Sequence, residues 1–279
     1  MKRTLAFALL ACAGIACTQP SDPLEYVDPF IGTGFHGHTF PGAATPFGMV
    51  QLSPDTRSGD WDACAGYHYD DRTIDGFSHT HLSGTGCADL ADILFHPTTR
   101  EEVVRDGAFL EQPYAFSHDR ETASCGYYSV ELPDEGLTVE LTAAPRTGVH
   151  RYTFHGDGPR RVIVDLMHTI TDVGLSAVSA ENARENALEE VPELDFDAVR
   201  ARAEELWREA LGRIVVEGGT REERTIFYTA QYHACLTPNL MNDVNGQYRR
   251  NDQSVATLPA GRRHYSTLSL WDIFRAWNP

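Results

Sequence analysis

Lysine is almost missing from this 279-residue chain: Lys2 is the only one, and every other positively charged side chain is an arginine. The rest of the chain therefore has neither the lysine of a phosphate-binding loop nor one that forms a Schiff base, which excludes two large enzyme classes. Basic residues are also few: the chain has 23 Lys and Arg but 40 Asp and Glu, which gives a net charge of −17. Because phosphate binding needs clustered basic side chains, a nucleic-acid partner is excluded.

The N-terminus carries an apolar run from Leu5 to Ala16 that follows two basic residues and is too short to span a bilayer. This pattern is typical of an export signal, which we assign to residues 1–17. Cys17 follows a small residue, as at a bacterial lipoprotein cleavage site, although Gly14 stands where leucine is usual. A lipidated Cys17 and ordinary secretion are the two alternatives. They predict a periplasmic protein, an outer-membrane lipoprotein or a secreted protein, with membrane contact only through a lipid anchor.

The cysteines show no CxxC spacing, so neither a zinc ribbon nor a dithiol redox motif is expected. Export implies an oxidising compartment, in which the four cysteines after the signal are able to pair in three ways. These are Cys64, Cys87, Cys125 and Cys235. A free cysteine in a pocket is the other interpretation.

Residues 18–178 contain short alternating runs of polar and apolar residues, separated by Gly, Pro and Asp. The runs are GMVQLS, CGYYSVEL, LTVELTAA, VHRYTFH and RRVIVDL. Such runs are typical of antiparallel strands. We therefore predict an N-terminal β-sandwich.

The apolar pattern changes to a period of 3.6 residues after about Val178. Residues 179–214 thus predict linker helices, the clearest of them over 195–214. Its apolar face comprises Phe196, Val199, Ala203, Leu206, Trp207, Ala210 and Ile214.

Residues 215–279 predict the start of an all-α domain. One helix begins after Thr220, with Glu223 completing a capping box, and ends before Pro238. Another helix begins near Ser266 and is still in progress where the sequence stops.

The stretch HTFPGAATPFGMVQLSPDT, residues 38–56, combines three prolines with glycines. It predicts an irregular but ordered loop that leads into one strand. Aromatic residues lie close to glycines in this region, namely Phe35, Phe40, Trp61 and Tyr67. Such a combination suits a sugar, whose C–H face stacks on a ring while its hydroxyls reach exposed backbone groups. A sandwich corner packed for stability is the alternative.

Three further groups of residues have two interpretations each. His79 and His81 suit a metal site or hydrogen bonds beneath a loop, and the second is favoured because no third ligand is tied to them. The Asn and Asp residues of 238–252 suit calcium or an Asn-Gly turn, and the turn is favoured because the EF-hand order is missing. Trp271 and Asp272 suit a sugar clamp or core packing with a helix cap.

Several long motifs together resemble glycoside hydrolase family 92, a family of bacterial exo-acting α-mannosidases. They are YVDPFIGTGFHGHTFPGAATPFGMVQLSPDT, CAGYHYDD, IDGFSHTHLSGTG, VEGGTREERTIFYTAQYHACLTPNLMNDVNGQYR and YSTLSLWDIFRAWNP. The similarity covers nearly all of the chain after the signal.

The resemblance implies an N-terminal β-sandwich, incomplete here, followed by the first helices of an (α/α)6 barrel, with a mannose site and a calcium ion at the domain interface. It also implies inversion at the anomeric carbon by an acid and a base about 6.5–9.5 Å apart. The expected partners are α-mannoside glycans, above all the α-1,2-linked ends of N-glycans. By motif position the sugar-binding residues are Gly34, Phe35, Trp61, Cys64, Trp271 and Asp272.

The sequence departs from the family pattern in two places. The family continues for several hundred residues beyond SLWDIFRA, and its acid, base and calcium ligands lie there, so this chain is expected to hold no catalytic residue and no metal ligand. Further strands are expected within LMHTITDVGLSAVS, so we predict an internal deletion that leaves strand edges unpaired. The expectation is a truncated, inactive α-mannosidase. A non-catalytic glycan-binding lipoprotein and a metal hydrolase using His79 and His81 are the alternatives.

Overall fold

A computed structural model of the chain describes residues 21–56, 61–105, 108–110, 112–166, 168 and 178–266. Its strands are β1 (Ala43–Ala44), β2 (Gln51–Asp55), β3 (Thr73–Ile74), β4 (Gly76–Ser78), β5 (Leu94–Thr98), β6 (Val104–Arg105), β7 (Ala108–Phe109), β8 (Tyr114–Ala115), β9 (Glu121–Ser124), β10 (Tyr127–Leu132), β11 (Leu137–Ala143), β12 (Gly148–Phe154), β13 (Arg161–Asp165), β14 (Gln247–Arg249) and β15 (Val255–Thr257). Its α-helices are α1 (Ala180–Glu190), α2 (Phe196–Leu211) and α3 (Arg221–Ala234).

Two larger antiparallel sheets, beside the strand pairs β3–β8 and β6–β7, form the N-terminal part of the fold. One has the strand order β1-β2-β4-β5-β13 and the other the order β12-β11-β10-β9. Alternate residues of β10 and β11, such as Val130 and Val139, are buried between the sheets, as the period of two in the sequence predicts. A side chain at Gly148 of β12 would come within 2.5 Å of Leu52 of β2, so the sheets pack closely there. The prediction of an antiparallel β-domain is confirmed.

Helix α2 packs its apolar face against this β-domain. The buried residues of that face are Phe196, Val199, Ala203, Trp207 and Leu211. The Trp207 indole N–H donates to the carbonyl of Ala44 in β1 at 2.7 Å, and its ring lies 4.4 Å from that of Tyr232 in α3. The helix ends at Leu211, so the placement of Ile214 on this face is wrong, and Ile214 is exposed beyond the helix end.

A glycine allows α2 to approach the turn between β9 and β10. Gly126 has φ +76°, and a Cβ there would lie 2.6 Å from the Ala203 side chain. Any larger residue would therefore force the helix away from the sheet. Helix α3 begins as predicted, because Thr220 and Glu223 form a capping box.

Helix α1 is held by amide groups. Asn182 and Asn186 donate from Nδ2 to the two carboxylate oxygens of Asp243, each at 2.7 Å. Asp243 begins the turn that includes Asn245 and Gly246, in which the Gly246 amide donates to the Asp243 carbonyl. The Asn-Gly segment is thus a turn, as favoured from the sequence. Because both carboxylate oxygens of Asp243 already accept hydrogen bonds, this turn is structural.

Strand β13 lies at the edge of its sheet, next to β5. Val162, Val164 and Leu166 are exposed along it. The predicted internal deletion falls on LMHTITDVGLSAVS, of which 167 and 169–177 lie outside the described residues. The predicted helix after Ser266 lies outside them as well.

No disulfide joins Cys64, Cys87, Cys125 and Cys235. The interpretation that they pair is therefore wrong for this structure. Cys125 is buried in the core, and burial raises the pKa of its thiol well above the usual value. Among the described helices, none is long and apolar enough to cross a membrane.

Removing the hydrogen bond from Trp207 to β1 should reduce the stability of the fold measurably. The change Trp207→Phe keeps an aromatic ring but leaves the buried Ala44 carbonyl without its donor. We expect the free energy of unfolding to fall by about 2 kcal/mol, measured as a lower midpoint in urea. Glu205→Ala, an exposed change on the same helix, is the control and should alter stability by less than about 0.5 kcal/mol. Equal effects of both changes would contradict this packing.

Candidate functional site

The loop from Gly32 to Phe40 is folded tightly back on itself. The Thr39 amide donates to the Gly32 carbonyl at 3.3 Å, and a Cβ at Gly37 would lie 2.1 Å from that carbonyl oxygen. Only glycine fits at position 37 without moving the backbone. The irregular loop predicted for 38–56 overlaps this segment only at its start, and it leads into two strands, β1 and β2, where one was predicted.

Phe35 combines a strained backbone with a solvent-exposed ring, and both are energetically unfavourable. Its φ is +53°, in the left-handed region that bulky residues avoid, and 78% of its surface is exposed. The buried His68 holds its backbone, because His68 Nε2–H donates to the Phe35 carbonyl at 3.1 Å. The other ring nitrogen of His68 accepts from the Asp70 amide at 3.3 Å, which fixes this tautomer. An exposed ring on a strained backbone is typical of a functional position.

Four rings form a row beside this loop. The ring of His36 lies 4.0 Å from that of Phe35 and 5.1 Å from that of Trp61, and His38 meets Trp61 edge-on at 4.5 Å. Trp61 is 55% exposed, and its indole N–H donates to the Gly86 carbonyl at 3.1 Å. We call Phe35, His36 and Trp61 the aromatic platform. Its two larger rings, Phe35 and Trp61, are mostly exposed to solvent.

The other predicted sugar-binding residues lie at different places relative to the platform. Gly34 lies beside it, and a side chain there would come 3.5 Å from Tyr69. Cys64 is buried beneath it, with its Sγ donating to the Trp61 carbonyl at 2.7 Å, so it supports the platform instead of facing solvent. Trp271 and Asp272 lie outside the described residues.

His38 is a feature that sequence reasoning missed. Its φ is +53°, it is buried, and neither ring nitrogen has a hydrogen-bond partner among the residues that the structure describes. Its carbonyl accepts from the Gly84 amide at 2.7 Å, which ties the loop to the GFSHTHLSGTG segment. A strained backbone and an unsatisfied buried ring together add free energy that the fold must offset.

Two family descriptions match the chain. The glycosyl hydrolase family 92 N-terminal domain matches residues 26–190, and the glycosyl hydrolase family 92 catalytic domain matches residues 182–279. The chain belongs to glycosyl hydrolase family 92. The family identified from the motifs is therefore confirmed, as is a β-rich domain followed by the first helices of a helical domain.

Solved family 92 structures and a fungal relative are similar over part of their length. The α-mannosidase BT3965 of Bacteroides thetaiotaomicron, in complex with mannoimidazole, is 30% identical, with a TM-score of 0.83 over 91% of this chain and 45% of its own. The family 92 hydrolase ccman5 is 25% identical, with a TM-score of 0.79 over 90% and 45%. A secreted glycosidase of Arthroderma benhamiae is 27% identical over 68% of this chain and 24% of its own. The chain thus spans less than half the length of each.

A cluster of buried polar groups surrounds Asp55 in this family 92 chain. The carboxylate of Asp55 accepts from His81 Nε2 at 2.9 Å, and its other oxygen lies 3.3 Å from His168 Nε2, an ion-pair distance without the geometry of a hydrogen bond. Burial raises the pKa of Asp55, but the two histidines outweigh this and hold it below its usual value. Burial lowers the pKa of His168, and the contact with Asp55 outweighs it and raises that pKa.

His79 and His81, predicted to point to one side of a strand, diverge because β4 ends at Ser78. His79 shares a hydrogen bond with His150 through their Nε2 atoms at 2.8 Å, and burial lowers the pKa of His79 to about 4. His81 donates from Nδ1 to the Gln51 carbonyl at 2.8 Å, in addition to its contact with Asp55. The two rings therefore have separate partners within the protein.

Glu121 is a buried carboxylate that other groups saturate. It accepts from the hydroxyls of Tyr67 and Tyr128 at 2.8 and 2.7 Å and contacts His118 Nδ1 at 2.5 Å. Burial, together with Glu121, raises the pKa of both tyrosines above the usual value. A carboxylate with these donors has a structural role.

The calcium ion that the family resemblance implies does not fit the described residues. No group of three or more His, Cys, Asp or Glu side chains in this part of the chain is arranged to hold a metal. Asp243, in the segment considered for calcium, directs both oxygens to amide donors.

A second concave surface lies away from the platform. It is a cleft of about 590 Å³ between α2 and α3, lined in part by Phe47, Arg146, Leu206, Arg213 and Cys235. Its lining contains several arginines, and its two rings, Phe47 and Tyr265, are half-buried, so it offers less exposed aromatic surface to a sugar than the platform does.

The contact of His168 with Asp55 predicts a pH dependence of stability. The raised pKa of His168 contributes stability that is complete below about pH 6.5 and is lost as the pH rises through the folded-state value. The lowered pKa of Asp55 contributes stability above about pH 4 that is lost as the pH falls. His168→Ala should therefore destabilise the chain by about 1 kcal/mol more at pH 5 than at pH 9, measured by urea unfolding.

Val164→Ala, at an exposed and non-titrating position of the preceding strand, is the control for this comparison. Its effect should be the same at both pH values. A loss from His168→Ala that is equal at the two pH values, or larger at pH 9, would contradict the ion pair.

Proposed function

We propose that the aromatic platform binds an α-linked mannoside and forms the part of a family 92 α-mannosidase site that the β-domain contributes. The observation that carries the proposal is the exposure of Phe35, whose carbonyl is held by His68, and of Trp61 in the neighbouring turn Trp61–Ala63. The family membership and the likeness to an α-mannosidase in complex with mannoimidazole support mannose as the sugar.

The chemistry of the platform suits a pyranose. The C–H face of a sugar packs on an aromatic ring, and exposing two large rings to water is unfavourable unless a ligand covers them. Because the loop is already ordered, little conformational entropy is lost on binding. The imidazole of His36 lies beside these rings and is a polar group that a hydroxyl is able to reach.

The finer activity follows from the family resemblance. We propose exo-acting cleavage of α-1,2-linked mannosides with inversion, by an acid and a base from the helical domain. The motif comparison assigns neither of these two residues to the 279 residues of this chain. The chain alone is therefore expected to bind mannosides without cleaving them.

An exported location fits this substrate. The N-terminal pattern predicts a signal peptide, and the Arthroderma benhamiae relative is a secreted glycosidase. We propose that the protein is secreted. The alternative is that a lipid attached to Cys17 holds it at a membrane surface.

The proposal predicts saturable binding of α-1,2-mannobiose by the purified chain and no release of mannose in the presence of calcium. Binding is measured by tryptophan fluorescence and calorimetry, and release by a mannose assay beside an intact family member. Phe35→Ala should weaken binding about tenfold. Ile226→Ala, an exposed apolar change on α3, is the matched control and should leave binding unchanged.

The outcomes separate the alternatives. Mannose release would contradict the expected inactivity and show that this chain holds its own acid and base. Binding without release also fits the non-catalytic glycan-binding lipoprotein, which lipidation of Cys17 would then favour. No binding at all would overturn the proposed site.

A further inference from the structure

We infer that His36, oriented by Asp62, binds a sugar hydroxyl on the aromatic platform and determines which hydroxyl pattern the site accepts. The inference rests on the proposed function and adds a specificity residue and a positioning residue to it. Neither residue was among the sugar-binding positions expected from the sequence.

Asp62 orients the imidazole of His36. His36 Nδ1 lies 2.6 Å from Asp62 Oδ1, with side chains that are 47% and 37% exposed. A carboxylate only accepts hydrogen bonds, so Nδ1 carries the hydrogen. In the neutral ring Nε2 is then an acceptor, and it has no hydrogen-bond partner among the described residues.

The ring of His36 lies beside both stacking rings of the platform. His36 lies between Phe35 and Trp61, at centroid distances of 4.0 and 5.1 Å. Both neighbours are strongly exposed, so a pyranose stacked on either ring has its edge hydroxyls beside His36. A hydroxyl is able to donate to Nε2 there.

Asp62 lies next to the stacking residue Trp61 in the sequence. The turn Trp61–Ala63 carries both the stacking residue and Asp62, so one short segment supplies the ring and the group that orients His36. A half-exposed pair of this kind contributes little to folding stability. Because Nδ1–H is held by Asp62, Nε2 is the nitrogen that a ligand hydroxyl meets, and a site that hydrogen-bonds a hydroxyl rejects an analogue without it.

The test compares dissociation constants for methyl α-mannoside and its 2-, 3-, 4- and 6-deoxy analogues. The wild-type chain should bind one deoxy analogue about tenfold more weakly than the parent sugar. His36→Phe, which keeps a ring but has no nitrogen, should bind that analogue and the parent equally. Asp62→Asn should reduce the discrimination to about threefold, because the amide no longer enforces Nδ1–H.

Phe35→Ala is the control for stacking. It should weaken binding of the parent and all analogues by a similar factor and keep the ratio between them. A merely structural role of His36 would likewise weaken every ligand alike without changing the ratio.

Each outcome decides the inference. An unchanged ratio in a His36→Phe chain that melts within about 2 °C of wild type would overturn it while leaving the proposed function intact. If His36→Phe does not fold, an unchanged ratio in Asp62→Asn overturns it. A wild-type chain that binds no mannoside overturns the proposed function and this inference together.

Discussion

The candidate site depends on the backbone of a single loop, whose carbonyls accept hydrogen bonds from groups below it. His68 holds the carbonyl of Phe35, the Gly84 amide holds that of His38, and the Thr39 amide closes the loop on Gly32. Without these contacts the positive φ angles of two non-glycine residues would relax. The rings above would then lose their common orientation, and a sugar would have to order them on binding.

The β-domain and the helices are linked through Ala44 and Phe47, which follow this loop in the sequence. The Phe47 amide donates to the Cys235 carbonyl at 2.7 Å, and the Leu240 amide donates to the Phe47 carbonyl at 2.9 Å. Together with the bond from Trp207 to Ala44, these contacts join β1 and the loop after it to α2 and to the end of α3. The segment 38–56 thus contacts the platform at His38 and the helices at Ala44 and Phe47.

Regular elements were predictable because their signals are local. The strands β10 to β13 follow alternation between turn residues, and the start of α3 follows from Thr220 and Glu223 alone. The end of α2 was not predicted, because Ile214 continues the apolar period beyond Gly212, where the helix stops. Periodicity reports a potential face, and tertiary packing decides how much of it is used.

The site was predictable only in part, because its contacts join residues that are distant in sequence. Phe35 and Trp61 follow from the motif resemblance, but their contacts with His36 and His38 depend on how two loops meet. Asp62 is 26 residues from His36, and no spacing rule connects them. Cys64 supports the platform from beneath, a role that its residue type does not indicate.

The most direct test of the account is a crystal structure of this chain with methyl α-mannoside. The account predicts the sugar stacked on Phe35 or Trp61, with one hydroxyl within hydrogen-bond distance of His36 Nε2. A sugar bound only in the cleft between α2 and α3, or a platform that stays bare at saturating ligand, would contradict it.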